Sequence, residues 1–136
     1  MKNPLIVLAI TGMLLSASAV ELKNAKSIRN LSEKVENQAR QKIKKDKKAQ
    51  KLIQQLVNKA AKQIEDQAKK GFMIGARLQI HYSNSPKLLK SIQKYPYAEM
   101  HVIYDDFYNR LERKGYIVKD KEYGGAITET KVFWVK

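Results

Sequence analysis

Residues 21–70 read ELKNAKSIRNLSEKVENQARQKIKKDKKAQKLIQQLVNKAAKQIEDQAKK, fifty residues with no glycine, no proline and no aromatic side chain. Lys, Gln, Glu, Ala and Leu give up little freedom in a helix, and no glycine or proline interrupts them, so the stretch predicts helix throughout. Leu22, Ala25, Ile28, Leu31, Val35, Ala39 and Ile43 step by three or four and form one apolar stripe. Ala49, Leu52, Ile53, Leu56, Val57, Ala60, Ile64 and Ala68 form a second. Between them stands Lys44-Lys45-Asp46-Lys47-Lys48, with nothing to place in a core. Two paths satisfy this pattern: one continuous helix of about 75 Å with a solvated middle, or a helical hairpin that folds back at the lysines. The helix propensity of lysine and the absence of glycine and proline favour the continuous helix, and a stripe this long needs a partner, either a second copy of the chain or the rest of the fold.

The charge is concentrated in the same place. Residues 21–70 hold fifteen basic and six acidic residues, against eleven and seven from residue 71 onward. Arg40, Lys42, Lys44, Lys45, Lys47, Lys48 and Lys51 set seven positive charges against Asp46 alone within twelve residues. Such a belt is a candidate polyanion-binding segment whose affinity falls steeply with salt. It is also what a solvated helix face looks like, and no aromatic is interleaved to stack on bases.

Working outward toward the amino end, Met1-Lys2-Asn3 is followed by an apolar run from Leu5 to Leu15 and by the small residues Ser16-Ala17-Ser18-Ala19. This is the pattern of a secretory signal peptide over residues 1–19, cleaved after Ala19. The alternative is an uncleaved membrane anchor, disfavoured because Lys23, Lys26 and Arg29 would then follow the span on the outer side. The expected location is therefore periplasmic or secreted. With no cysteine in the chain, a disulfide framework, a thiol nucleophile and a Cys-based metal site are excluded.

Toward the carboxyl end, Lys69-Lys70-Gly71 is a helix stop, and all eleven aromatics lie beyond it. Three regions follow from this: the leader, a basic helical arm over residues 20–70, and a small head over residues 71–136. Ile74, Ala76, Leu78, Ile80 and Tyr82 alternate as the inward face of a strand. Ser85 and Pro86 open a short helix, as N-cap and first helical residue. Pro96 starts another, with Met100, Ile103, Tyr104, Phe107 and Leu111 as its buried stripe and Gly115 as its stop. Tyr116-Ile117-Val118 and residues 130–135 then pair across Gly124-Gly125 as a hairpin. The expected fold class is α+β: a long N-terminal helix, or helical hairpin, followed by a small three-stranded antiparallel sheet packed with two helices.

The element order helix, strand, helix, helix, strand, strand resembles that of winged-helix DNA-binding domains, with residues 96–114 in the recognition-helix place. Asp105, Asp106 and Glu112 stand there against Arg110, Arg113 and Lys114, which fits DNA poorly. Residues 60–136 resemble small uncharacterised tailed-phage proteins in texture: a helix ending Lys-Lys-Gly, then Leu111-Glu112-Arg113-Lys114-Gly115-Tyr116-Ile117-Val118, a glycine turn and a final strand ending in Trp134. That resemblance implies a viral or prophage gene and no particular activity.

No metal-ligand spacing, phosphate-cradling loop or nucleophile motif occurs, and no cofactor is implied. His101 and Asp105 sit one turn apart, and with His81 they are the only basis for acid–base chemistry of a small metal-free nuclease. A surface pair and a solvent-facing histidine account for them equally well. Tyr95 and Tyr97, flanking Pro96, are the expected exposed rings. Three readings remain open: an exported, non-enzymatic binding protein whose arm engages an anionic membrane surface or polymer, a phage structural protein holding nucleic acid non-specifically, and the nuclease.

Overall fold

A computed structural model of the chain describes residues 21–79, 86–123 and 129–135. The chain divides into two compact units, residues 1–32 and 33–136. In the first, Asn24 caps the start of helix α1 (Ala25–Lys45), its Oδ1 accepting from the Ser27 amide at 2.9 Å. Leu22, Ile28 and Leu31 are exposed there.

The second unit contains the rest of α1, then α2 (Lys47–Lys69), β1 (Gly75–Leu78), α3 (Pro86–Gln93), α4 (Tyr97–Arg113), β2 (Ile117–Lys119) and β3 (Thr130–Phe133). The strands form one antiparallel sheet in the order β1-β3-β2, with Ala76 and Val118 both opposite Val132. The α+β reading holds, with the three strands and the two helices among them in the expected order.

One expectation about the arm is corrected. The helix is not continuous: Asp46 adopts an extended conformation (φ −86°, ψ 105°) and its side chain accepts from the Ala49 amide at 3.0 Å. That is an N-cap, so α2 starts afresh after a single non-helical residue. The break falls where the alternative path placed it, inside the lysine run, with Lys45 closing α1 and Lys47 opening α2. Aspartate competes for backbone amides, which the good helix propensity of its lysine neighbours does not offset.

The compositional boundary at Gly71 lies within the second unit. Ala49, Leu52, Ile53, Leu56, Ala60 and Ile64 of α2 share one core with Ala76 and Leu78 of β1, Leu88 and Ile92 of α3, and the buried face of α4. Each large side chain fully buried this way contributes roughly 1.5–3 kcal/mol relative to exposure. Gly71 still ends α2, with φ +99°, and Gly115 ends α4, with φ +96°.

Two local devices complete the unit. Along the free edge of β1, Gln67 accepts from the Arg77 amide at 2.9 Å and donates to the Arg77 carbonyl at 2.8 Å, while Gln63 accepts from the Gln79 amide at 2.9 Å. One helical turn apart, these amides satisfy the edge as a neighbouring strand would. The strand itself is shorter than its alternation suggests: Ile74 is 59% exposed, and Ile80 and Tyr82 lie outside the described residues. At Gly75 a β-carbon would stand 2.6 Å from the Val132 carbonyl oxygen, so β1 and β3 approach this closely only because that residue is glycine.

α4 is the central helix. Val102, Ile103, Tyr104, Phe107, Tyr108 and Leu111 are buried, and no residue from Ala98 to Leu111 is exposed. Arg110 donates to Gln50 at 2.9 Å and Gln54 at 3.3 Å on α2. A recognition helix must offer a free face, so the winged-helix comparison ends with the element order.

Candidate functional site: a lysine surface around Asp46

The break at Asp46 organises the belt. Arg40, one residue of it, reaches α4: its Nη2 lies 2.8 Å from Asp105 Oδ2 and 2.6 Å from Glu36 Oε2, and its Nη1 lies 3.8 Å from Asp106. Burial would lower the guanidinium pKa, but the hydrogen bonds that Arg40 donates to Asp105 and Glu36 outweigh it and raise the value. Burial pushes the Asp106 carboxyl upward, with Arg40 opposing that rise. Lys42 stands 3.5 Å from Glu99 in the first turn of α4. Arg40 and Lys42 thus fasten α1 to α4 within the second unit.

The remaining five, Lys44, Lys45, Lys47, Lys48 and Lys51, are exposed, and none forms an ion pair among the described residues. Asp46 is the only acid between residues 37 and 64. Both its oxygens are committed, Oδ1 to the Ala49 amide and Oδ2 to the Tyr95 hydroxyl at 3.1 Å. The amide bond, followed by the Tyr95 bond and nearby Lys48, holds its pKa below the usual carboxylate value despite a smaller opposing effect of burial. Burial and the neighbouring Asp46 carboxylate raise that of Tyr95. The tyrosine expected to be exposed beside Pro96 is therefore half-buried at the junction, whereas Tyr97 is 74% exposed.

The Tyr95 bond brings α3 to the same place. Lys87, Lys90 and Lys94 are exposed and form no ion pair among the described residues. At about 100° per residue Lys87 and Lys90 fall about 60° apart around α3 and about 100–160° from Leu88 and Ile92, which are buried, while Lys94 is the first residue past the helix end. The i, i+3, i+7 spacing was visible in the chain. Its proximity to the belt was not, because that depends on a contact between residues 46 and 95.

The catalytic alternative meets a different geometry. Asp105 directs its oxygens to Arg40 and, at 3.2 Å, to the Tyr123 hydroxyl, while the His101 ring lies stacked on Tyr123, 4.1 Å between centroids and 8° from parallel. His101 is thus held by a ring and Asp105 by a guanidinium and a phenol. Burial, then the nearby Asp105 charge, pushes the Tyr123 phenol up to about 12. His81 lies outside the described residues. Among the described residues no group of three His, Asp or Glu side chains is placed to hold a metal ion, and no helix is long and apolar enough to cross a membrane.

An open cleft of about 600 Å³ lies between the end of α2 and β1, lined by Gln63, Gln67, Lys70, Phe72, Arg77, Gln79 and Glu129. Its polar groups are largely engaged: Gln63 and Gln67 with the β1 backbone, and Glu129 with Arg77 at 3.7 Å and Gln79 at 3.0 Å.

Comparison with known proteins returned no match, whether to a family model, a curated protein or a solved structure.

Proposed function

We propose that the chain is a non-enzymatic binding protein that engages an anionic surface or polymer through Lys44, Lys45, Lys47, Lys48 and Lys51. The observation that carries this reading is that these five exposed ammonium groups lie around one acid whose oxygens are already bonded. Five ammonium groups set against a single carboxylate repel one another on balance, and a polyanion relieves that repulsion while releasing its counterions. The leader read at residues 1–19 belongs to this proposal, since export would make an envelope surface or polymer the available partner. The head then serves to hold the junction and to offer protein contacts.

Binding is measured against salt for the wild type and a variant with all five lysines changed to Gln. The expected result is tight binding at low salt that weakens steeply as salt rises, with the variant both weaker and less salt-sensitive. Binding by neither protein to anionic vesicles, polyphosphate or single-stranded DNA at low salt would overturn the proposal. The mature amino end, determined by mass spectrometry of the envelope fraction, is expected at Val20.

A further inference from the structure

Resting on that reading, we infer that the surface continues over α3 and the segment after it, through Lys87, Lys90, Lys94 and the Tyr97 ring, and that its occupant is an anionic lipid bilayer. Three observations support the extension. Lys87 and Lys90 lie on the side of α3 away from the buried Leu88 and Ile92, and Lys94, just past the helix end, is exposed with them. The carboxyl end of α3 is tied to the junction by the Tyr95 to Asp46 hydrogen bond. Residues 86–98 contain no acid, and Glu99, the first to follow, is paired with Lys42 and its side chain is only 13% exposed.

The choice of occupant follows from residue type. All eight cations are lysines, compact charges on flexible stems that make no geometric demand, which suits a fluid headgroup layer. A nucleic acid is gripped best by arginine forks and by several stacked rings, whereas this surface offers no arginine free of carboxylates and one exposed ring. A single tyrosine beside a lysine cluster matches the polar–apolar boundary of a membrane, where the ring sits among headgroups. A second copy of the chain is disfavoured because it would oppose lysine with lysine.

The test is co-sedimentation of the full-length mature protein with phosphatidylglycerol/phosphatidylcholine vesicles and with pure phosphatidylcholine vesicles at about physiological ionic strength. Wild type is expected on the anionic vesicles only. Changing Lys87, Lys90 and Lys94 together to Gln should weaken binding about tenfold or more. A charge-matched control, Lys70, Lys114 and Lys119 to Gln, lies at the far ends of α2 and α4 and on β2 and should retain most of it. Tyr97→Ala should weaken binding further without altering its salt dependence. All these side chains are exposed, and circular dichroism verifies that each variant is folded.

Equal loss in the control would mean that net charge alone acts and would overturn the assignment of α3. Binding of polyphosphate or single-stranded DNA through the belt, with no binding to anionic vesicles, would overturn the bilayer while leaving the polyanion proposal standing. Failure of every anion to bind would remove both.

Discussion

The belt divides in two, and the halves differ in fate though not in kind. Arg40 and Lys42 stand a few residues from Lys44 and Lys45 in the same helix, yet the first two reach carboxylates on α4 and the others meet no carboxylate within ion-pair distance among the described residues. What separates them is the neighbour that the fold supplies: Glu99, Asp105 and Asp106 line the face of α4 that receives α1. A run of positive charge in a chain is therefore two things at once, an internal fastener and an external surface. The division between them is set by contacts some sixty residues away.

The largest effect should come from the unpaired half. Changing Lys44, Lys45, Lys47, Lys48 and Lys51 to Gln is expected to weaken binding to an anionic surface by about a hundredfold or more. The thermal midpoint should hardly move, since exposed lysines without ion pairs carry little stability. Calorimetry beside a vesicle titration reads both quantities.

Arg40→Met should do the reverse. It leaves Asp105 without its ion-pair partner and Asp106 with only Arg110 and Arg113, and with the Arg40 side chain one-third exposed the expected cost is about 1 to 3 kcal/mol in urea unfolding, short of a fully buried pair. Binding to polyanions should change by less than the loss of one belt lysine.

Asp46 lies on the dividing line. Asp46→Ala removes the α2 cap and should cost about 1 kcal/mol. Because its folded pKa lies below the ordinary 3.8, the cap contributes fully above that value and is lost as pH falls through the lower folded value. Stability curves of wild type and variant should therefore differ at neutral pH and converge as pH drops below about 4. Equal separation at all pH values would contradict the capping role. The smallest effect belongs to Lys42→Gln: its side chain is 70% exposed, and the change in stability should stay within about 0.5 kcal/mol.

Much of the fold was legible because periodicity reports burial. Of the second stripe, Ala49, Leu52, Ile53, Leu56, Ala60 and Ile64 are all buried, and in α4 so are Ile103, Tyr104, Phe107 and Leu111. The first stripe was legible as a helix but not as a packing surface. Ala39 and Ile43 enter the core, while Leu22, Ile28, Leu31 and Val35 remain exposed on the same pattern. A break among the lysines was one of the two paths left open, but Asp46 as its cap was not legible, because an aspartate among lysines looks like a charge and only its extended backbone makes it a cap. Local pattern placed the belt, but its division required contacts between α1 and α4, and between Asp46 and Tyr95, that no local pattern encodes.

The measurement that bears most directly on this division is a paired one: the salt dependence of anionic-vesicle binding and the free energy of unfolding, on the five-lysine variant and on Arg40→Met. The account predicts that the first loses binding and keeps its stability, and that the second loses stability and keeps its binding. If both variants lose both properties to a similar degree, the belt is one undivided charge and the account is wrong.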